Sequence, residues 1–511
     1  MKSKHTVILL LMILLCLSFR LYNFVGIGTN DDVCYVQSAQ VLASGNNPLT
    51  CQIGFRSGMV APIAILLKAF GQNEIAFAAY PLICSLITCA LIYLTALHLW
   101  GIWPAILGCL LWIVYPLQIV FDTQLSPSNQ QATCVAASLF FYSLVAKPVT
   151  SSKRVGLVFL VLSGIFLGFA WLVNEIFVTF VLIMLPFIII VRPKIRHLFW
   201  ITAGFALVFC SELLIIKITT GSWFMRITCI LNTEQVITSN NNPWYLPRTL
   251  FKVFGVNPLY EEGHFGIIWY LFIIASIATL FLKDKLPLAL TLGCWLWLAY
   301  LQWGGHLLLG EPIAKYIRYI SMIVPLQCLV FGIILVRLVE YSKKLKPFII
   351  ILFIILLVNL TWLGTKAVDS VRMHTEDFRK IAEYLLKLDL KKDDIVYTDF
   401  LSGSFIEIYA KGRLSVKKAN IKGPDIFTDM PEPQKGILIR DGSRAVVELT
   451  EFRATMPQWY LSPPEYWPLL TTIKGQNSDV YKTFDPQIYR ILPRNMTRSE
   501  AESPLRKGDQ K

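Results

Sequence analysis

Apolar runs long enough to cross a bilayer recur along this chain, beginning with TVILLLMILLCLSF at residues 6–19, and they limit what it can fold into. A helix needs about 20 apolar residues to span the hydrocarbon core. Inside lipid every backbone polar group must be satisfied internally, which leaves helices or a closed barrel. Eleven helical candidates lie near 6–25, 75–99, 103–121, 128–146, 155–173, 176–191, 198–218, 265–282, 286–301, 319–336 and 347–365. Composition agrees: 55% of residues are hydrophobic, 16% are charged and mean hydropathy is +0.57, whereas soluble domains carry about a quarter charged residues. The first run resembles a signal peptide but lacks a small-x-small cleavage site, so an uncleaved first helix is expected, with Arg20 snorkelling to the interface.

The charge pattern sets an orientation. The net charge of +14 suggests nucleic acid until its distribution is read. Residues 366–511 are nearly balanced, with 24 basic and 21 acidic side chains. With the N-terminus inside, the N-terminal tail and the connections 147–154, 192–197, 283–285 and 337–346 hold 14 Lys and Arg. Their only acids are Asp284 and Glu340. This is the positive-inside pattern of a multi-pass protein of the cytoplasmic membrane, not a nucleic-acid footprint. An odd number of spans then places residues 366–511 outside.

Three outer connections are long: 26–74, 219–264 and 302–318. In the first, an N-cap at Thr29 or Asn30 precedes Val33, Val36, Ala39 and Leu42 at helical spacing, and Gly45 ends the run. MVAPIAILLKAFG (59–71) is amphipathic and too short to span, which places it in the interface. After residue 365 the chain reads as a soluble α/β domain, 366–493, followed by a disordered tail, 494–511. A helix is expected at 375–390 and strands at 394–398, 437–440 and 445–449. All eleven cysteines precede residue 330, mostly inside apolar runs, where they pack as small apolar groups. Cys34 and Cys51 share the first outer loop, where a disulfide is open.

Asp31 and Asp32 stand side by side in the first turn of the first outer helix. Acids there also stabilise a helix through its macrodipole. The stretch FRLYNFVGIGTNDDVCYVQSAQVLASGNNP resembles the opening of membrane-embedded C-type glycosyltransferases (GT-C), in the group of protein O-mannosyltransferases, aminoarabinose transferases and Rgt-like enzymes. The shared features are the acidic pair Asp31 and Asp32, Tyr35, and GQNE (71–74) before the second span. GIWPAILGCLLWIVYPLQIVF, GIFLGFAWLVNEIFVTFVLIMLPFIIIVRPK and KYIRYISMIVPLQ continue the likeness, which covers about residues 10–340.

The resemblance implies a transmembrane catalytic domain over 1–365. It implies sugar transfer from a polyprenyl-phosphate donor to a hydroxyl acceptor (lipid, glycan or protein) at the outer face of the membrane. Asp31 would be the general base and Asp32 would orient the acceptor or the helix. Arg56, with Lys315 and Arg318, would meet the donor phosphate, and interface snorkelling is the other reading of each. A single base acting on a carrier-phosphate sugar implies inversion. Where many relatives carry a second Asp at the start of the fourth span, this chain has Ser128 and Asn129, and Asp122 lies one or two turns earlier as a substitute. Asn174 and Glu175 occupy a position where relatives often have Lys. Glu212, deep in an apolar run, is either buried and paired or functional. No cofactor is certain, and a divalent metal has only weak support, from carboxylate and imidazole groups of the kind that suit zinc. EEGH (261–264) with His306 and Glu311 matches no established metal spacing, although some relatives bind divalent ions. A secondary transporter would show internal repeats, and none is visible. A catalytically idle relative binding a partner through its outer domain is the remaining alternative.

Overall fold

The computed structural model describes residues 2–27, 30–49, 53–148, 152–234, 267–301, 317–341, 343–388, 390, 394–410, 413–419, 432–440, 458–473 and 485–492. The chain divides into two compact units. The first comprises Met1–Ile27, Cys34–Ala69 and Ile75–Val371; the second comprises Gly28–Val33, Phe70–Glu74 and Arg372–Lys511.

The helices in chain order are α1 (Lys2–Tyr22), α2 (Asn30–Ala43), α3 (Ser57–Phe70), α4 (Glu74–Trp100), α5 (Ile102–Val114), α6 (Pro116–Phe121), α7 (Pro127–Ala146) and α8 (Lys153–Val173). Then come α9 (Val181–Pro186), α10 (Ile195–Thr220), α11 (Met225–Glu234), α12 (Ile268–Thr279), α13 (Leu286–Ala299), α14 (Val324–Tyr341) and α15 (Lys346–Lys387). Among the described residues six helices are long and apolar enough to cross a membrane, and α3, α5, α12, α13 and Glu175–Val191 are shorter apolar segments. The difference from eleven full spans has local causes. The span expected at 103–121 breaks where Tyr115 is extended ahead of Pro116, giving α5 and α6. α7 is long enough but opens on PSNQQ, which lowers its hydropathy. Residues 175–191 run as a 3₁₀ turn, α9 and a π-helical turn, with Pro186 closing α9.

One apolar core runs through the first unit, with Trp112, Trp269 and Trp297 fully buried. Helices α7, α8 and α10 pack side by side within it. Small residues make the α8–α10 approach possible: a Cβ on Gly164 would lie 1.9 Å from the Ile201 carbonyl, and one on Gly204 would lie 2.2 Å from that of Val161. Close backbone approach at small residues is a main source of helix association in lipid, where apolar burial contributes little. Arg20 does not snorkel. It is fully buried, bonds Asp122 at 2.5 Å, and donates to the Ile113 and Trp112 carbonyls. A carboxylate and two carbonyls at the end of α5 hold it better than the interface would.

In the second unit, α15 carries Ile381, Ala382 and Leu385 into a core with Val396, Ile406, Ile437, Ile439 and Ile488. The helix expected at 375–390 is the end of α15, which runs unbroken from Lys346 to Lys387. The strands are β1 (Ile395–Asp399), β2 (Ser415–Ala419), β3 (Gly436–Arg440), β4 (Leu469–Thr472) and β5 (Gln487–Ile491), in the order β2-β1-β3-β5-β4. β1 is parallel to β2 and β3, whereas β5 is antiparallel to β3 and β4. Alternation sends Val396, Ile437 and Ile439 to the helix-covered face, and Tyr397 and Leu438 to a second cluster with Trp459, Tyr460 and Trp467. Between β1 and β2, α16 (Phe400–Tyr409) is capped by Asp399, which accepts from the Ser402 amide at 2.9 Å. Glu74, the glutamate of GQNE, accepts from Arg379 at 2.9 and 3.2 Å, and Arg379 lies over the Tyr409 ring. The strand expected at 445–449 and the tail 494–511 lie outside the described residues.

Candidate functional site

Arg56 follows a 3₁₀ turn (Ile53–Phe55) and precedes α3. Its carbonyl receives the Met59 and Val60 amides, which ties its backbone to the first turn of that helix. Its side chain turns inward and is 9% exposed. The guanidinium makes a forked pair with Glu175, at 2.6 Å to Oε1 and 3.1 Å to Oε2, and donates to the Tyr35 hydroxyl at 2.5 Å. Glu175 is placed by Asn174, whose extended backbone ends α8 and whose side-chain oxygen accepts the Ile176 amide.

The network continues through Arg226 of α11. Its guanidinium reaches Glu175 at 3.4 Å, bonds Glu212, donates to the Trp171 carbonyl at 2.9 Å, and lies 4.5 Å from the centre of the Trp171 ring. The Trp171 indole donates to the other Glu212 oxygen. Two guanidinium groups and two carboxylates therefore balance inside the first unit, where isolated charges would be costly. Glu212 is both buried and paired, which was one of its two sequence readings. Arg226 is a residue that the sequence analysis did not single out. The signal was Glu212 itself, since a carboxylate in an apolar run demands a cation.

Of the expected site residues, the structure brings Tyr35 and Arg56 together. Asp31 and Asp32 occupy the first turn of α2, Asp31 partly exposed and Asp32 buried. Asp122 is fully buried and bonded to Arg20 and Ser85. Asn129, in the first turn of α7, is also fully buried, beside Asp122. Arg318 lies in a 3₁₀ segment (Ile317–Ile323), its side chain outside the described residues. Lys315, Cys51, EEGH (261–264), His306 and Glu311 also lie outside them.

Comparison with known proteins identifies the architecture. The profile of the dolichyl-phosphate-mannose-protein mannosyltransferase family matches residues 59–216. ArnT from Cupriavidus metallidurans bound to undecaprenyl phosphate superposes with a TM-score of 0.62 at 12% identity, covering 96% of this chain and 97% of that one. This chain has the GT-C fold. Apo ArnT from the same organism gives a TM-score of 0.56 at 13% identity, covering 95% and 98% of the two chains. The Archaeoglobus fulgidus oligosaccharyltransferase tethered with an acceptor peptide gives 0.53 at 12% identity, covering 95% of this chain and 74% of that one. No curated protein sequence matches the chain. The GT-C fold accounts for the arrangement of a multi-pass helical domain followed by an α/β sheet region.

Proposed function

We propose that this protein is a membrane glycosyltransferase that moves a sugar from a polyprenyl-phosphate donor to a hydroxyl acceptor at the outer face of the cytoplasmic membrane. The observation that carries the reading is the GT-C fold over 96% of the chain, shared with a protein captured on undecaprenyl phosphate. Asp31 is the general base: it takes the acceptor hydroxyl proton as that oxygen attacks the anomeric carbon and the carrier phosphate leaves, inverting the centre. Asp32 orients the acceptor or the helix. Arg56 receives the leaving phosphate, with Lys315 and Arg318 as further cations. The Glu175 carboxylate that fills the Arg56 fork at 2.6 Å is itself an anionic oxygen acceptor, so phosphate binding exchanges one for the other.

Membranes containing the protein, supplied with a panel of radiolabelled polyprenyl-phosphate sugars and a crude acceptor fraction, test the reading. Transfer from one donor, with NMR showing the opposite anomeric configuration in the product, is expected. Retention of the donor configuration would remove the single-base mechanism. Substrate counterflow in sealed vesicles with no glycosidic product would replace the enzyme with a transporter.

A further inference from the structure

Between α7, α8, α9 and α10 the first unit holds an apolar cavity, lined also by Leu290 of α13 and Leu326 of α14. It runs along α7 from Val135 to Tyr142, about 10 Å of helix. The Ser138 and Ser163 hydroxyls that border it bond each other at 2.8 Å. The rest of the wall is aliphatic and aromatic, with the Tyr142 ring set edge-on to Phe187. Water gains little in such a space, whereas a hydrocarbon chain restores the packing contacts that its walls lack.

The cavity lies beneath the basic end of these helices. Tyr142, Phe187, Ile201 and Leu290, all on its wall, stand five residues from Lys147, Arg192, Arg196 and Lys285, about 8 Å along a helix axis. Helices α8 and α10 run parallel, Gly164 against Ile201 and Gly168 against Val208. Lys153 and Arg154, at the start of α8, therefore share an end of the unit with Lys194 and Arg196, at the start of α10. Arg192, the one described non-glycine residue with a left-handed backbone, at φ 52°, turns the chain from the π-helical turn toward α10. The Lys147 ammonium is taken up by the His98 and Leu99 carbonyls, and that of Lys285 by Leu282. Lys153, Arg154, Arg192, Lys194 and Arg196 are exposed, and among the described residues none of them forms an ion pair. Basic residues at one face are general in multi-pass proteins; here five of them rim an apolar cavity.

We propose that cavity and rim together bind an anionic phospholipid, with one acyl chain in the cavity and the phosphate on Arg192, Lys194 and Arg196, beside Lys153 and Arg154. Charge complementarity selects the head group, and the length and lining of the cavity select the tail. The site is separate from the transfer chemistry. Glu175, the partner of Arg56, follows the far end of α8, whose 21 residues span about 30 Å.

Native mass spectrometry of the full-length protein in detergent tests this by competition. Phosphatidylglycerol is offered against phosphatidylcholine with the same acyl chains, and one bound phosphatidylglycerol is expected, favoured by about tenfold or more. Dihexanoyl phosphatidylglycerol, whose chains barely enter the cavity, is expected to lose to the long-chain lipid by a similar factor. Arg192→Gln, Lys194→Gln and Arg196→Gln, combined at these exposed positions, are expected to remove the head-group preference. Added undecaprenyl phosphate is expected to leave the phosphatidylglycerol in place. Equal retention of the two head groups, or of short and long chains, would overturn the proposal, as would an undiminished preference in the triple variant. So would displacement of phosphatidylglycerol by undecaprenyl phosphate, which would give the cavity to the carrier tail. The wild-type competitions decide the matter even if the variant fails to fold, and none of them depends on sugar transfer.

Discussion

Arg56 shows what sequence can and cannot deliver for a single residue. Its place ahead of an amphipathic helix was legible from motif order, and so was Tyr35. Its clamp was not, because Glu175 lies 119 residues away in sequence, at the start of the 3₁₀ turn that follows the end of α8 at Asn174. Arg20 was misjudged for a similar reason, since its partner Asp122 is 102 residues distant. If the Arg56 fork receives the donor phosphate, Arg56→Lys keeps the charge but loses the planar pair of donors. Transfer measured at subsaturating donor should fall by at least about tenfold, the equivalent of one charge-assisted hydrogen bond. Unchanged transfer would assign Arg56 to structure alone. Glu212→Ala removes one of the two carboxylates that hold Arg226. Breaking a buried pair on one side costs about 3–5 kcal/mol, so this variant should melt well below wild type in detergent.

Among the elements, apolar runs were readable wherever a helix is continuous, as in α4, α8, α10 and α14. Breaks were harder to read. The split between α5 and α6 follows from Pro116, a signal present in the sequence but hidden within an apolar run. The unbroken 42 residues of α15 ran the other way, because Gly364, where the apolar and charged stretches meet, packs against Ile119 and does not end the helix. Packing of α8 on α10 depends on Gly164, whose absent side chain admits the Ile201 carbonyl. Gly164→Val should destabilise the membrane domain by about 1–3 kcal/mol through overpacking, or more where the backbone cannot yield. Thermal melting of the purified variant checks this, and wild-type stability would show that the helices can separate without loss.

For the whole molecule, charge distribution and span count conveyed the class of fold, while the composition of the second unit was not legible. Residues 28–33 and 70–74 group with the C-terminal residues, a relation that no local pattern encodes. That unit also holds a titration signal. Burial pushes the Asp377 carboxyl up to about 6, opposed by Lys380 and aided by Glu376 and Asp485, and among the described residues its Oδ1 has no hydrogen-bond partner. The folded form thus keeps a proton that the unfolded chain releases near the ordinary value of 3.8. Stability is lost as pH rises from about 3.8 to about 6, and the penalty persists above that window. Asp377→Asn should therefore raise the melting temperature of the full-length protein at pH 7.5 and lose most of that advantage near pH 4. An equal gain at both pH values would point to a cause other than ionisation.

The central claim is that this GT-C chain transfers a sugar from a polyprenyl-phosphate carrier through Asp31. The most direct measurement compares label transfer by wild type and by Asp31→Asn in matched membranes, after confirming equal insertion and accumulation. Loss of a positioned general base removes about 10²–10⁴-fold in rate, so the account predicts transfer by wild type and a drop of that order in the variant. Undiminished transfer by Asp31→Asn would contradict it.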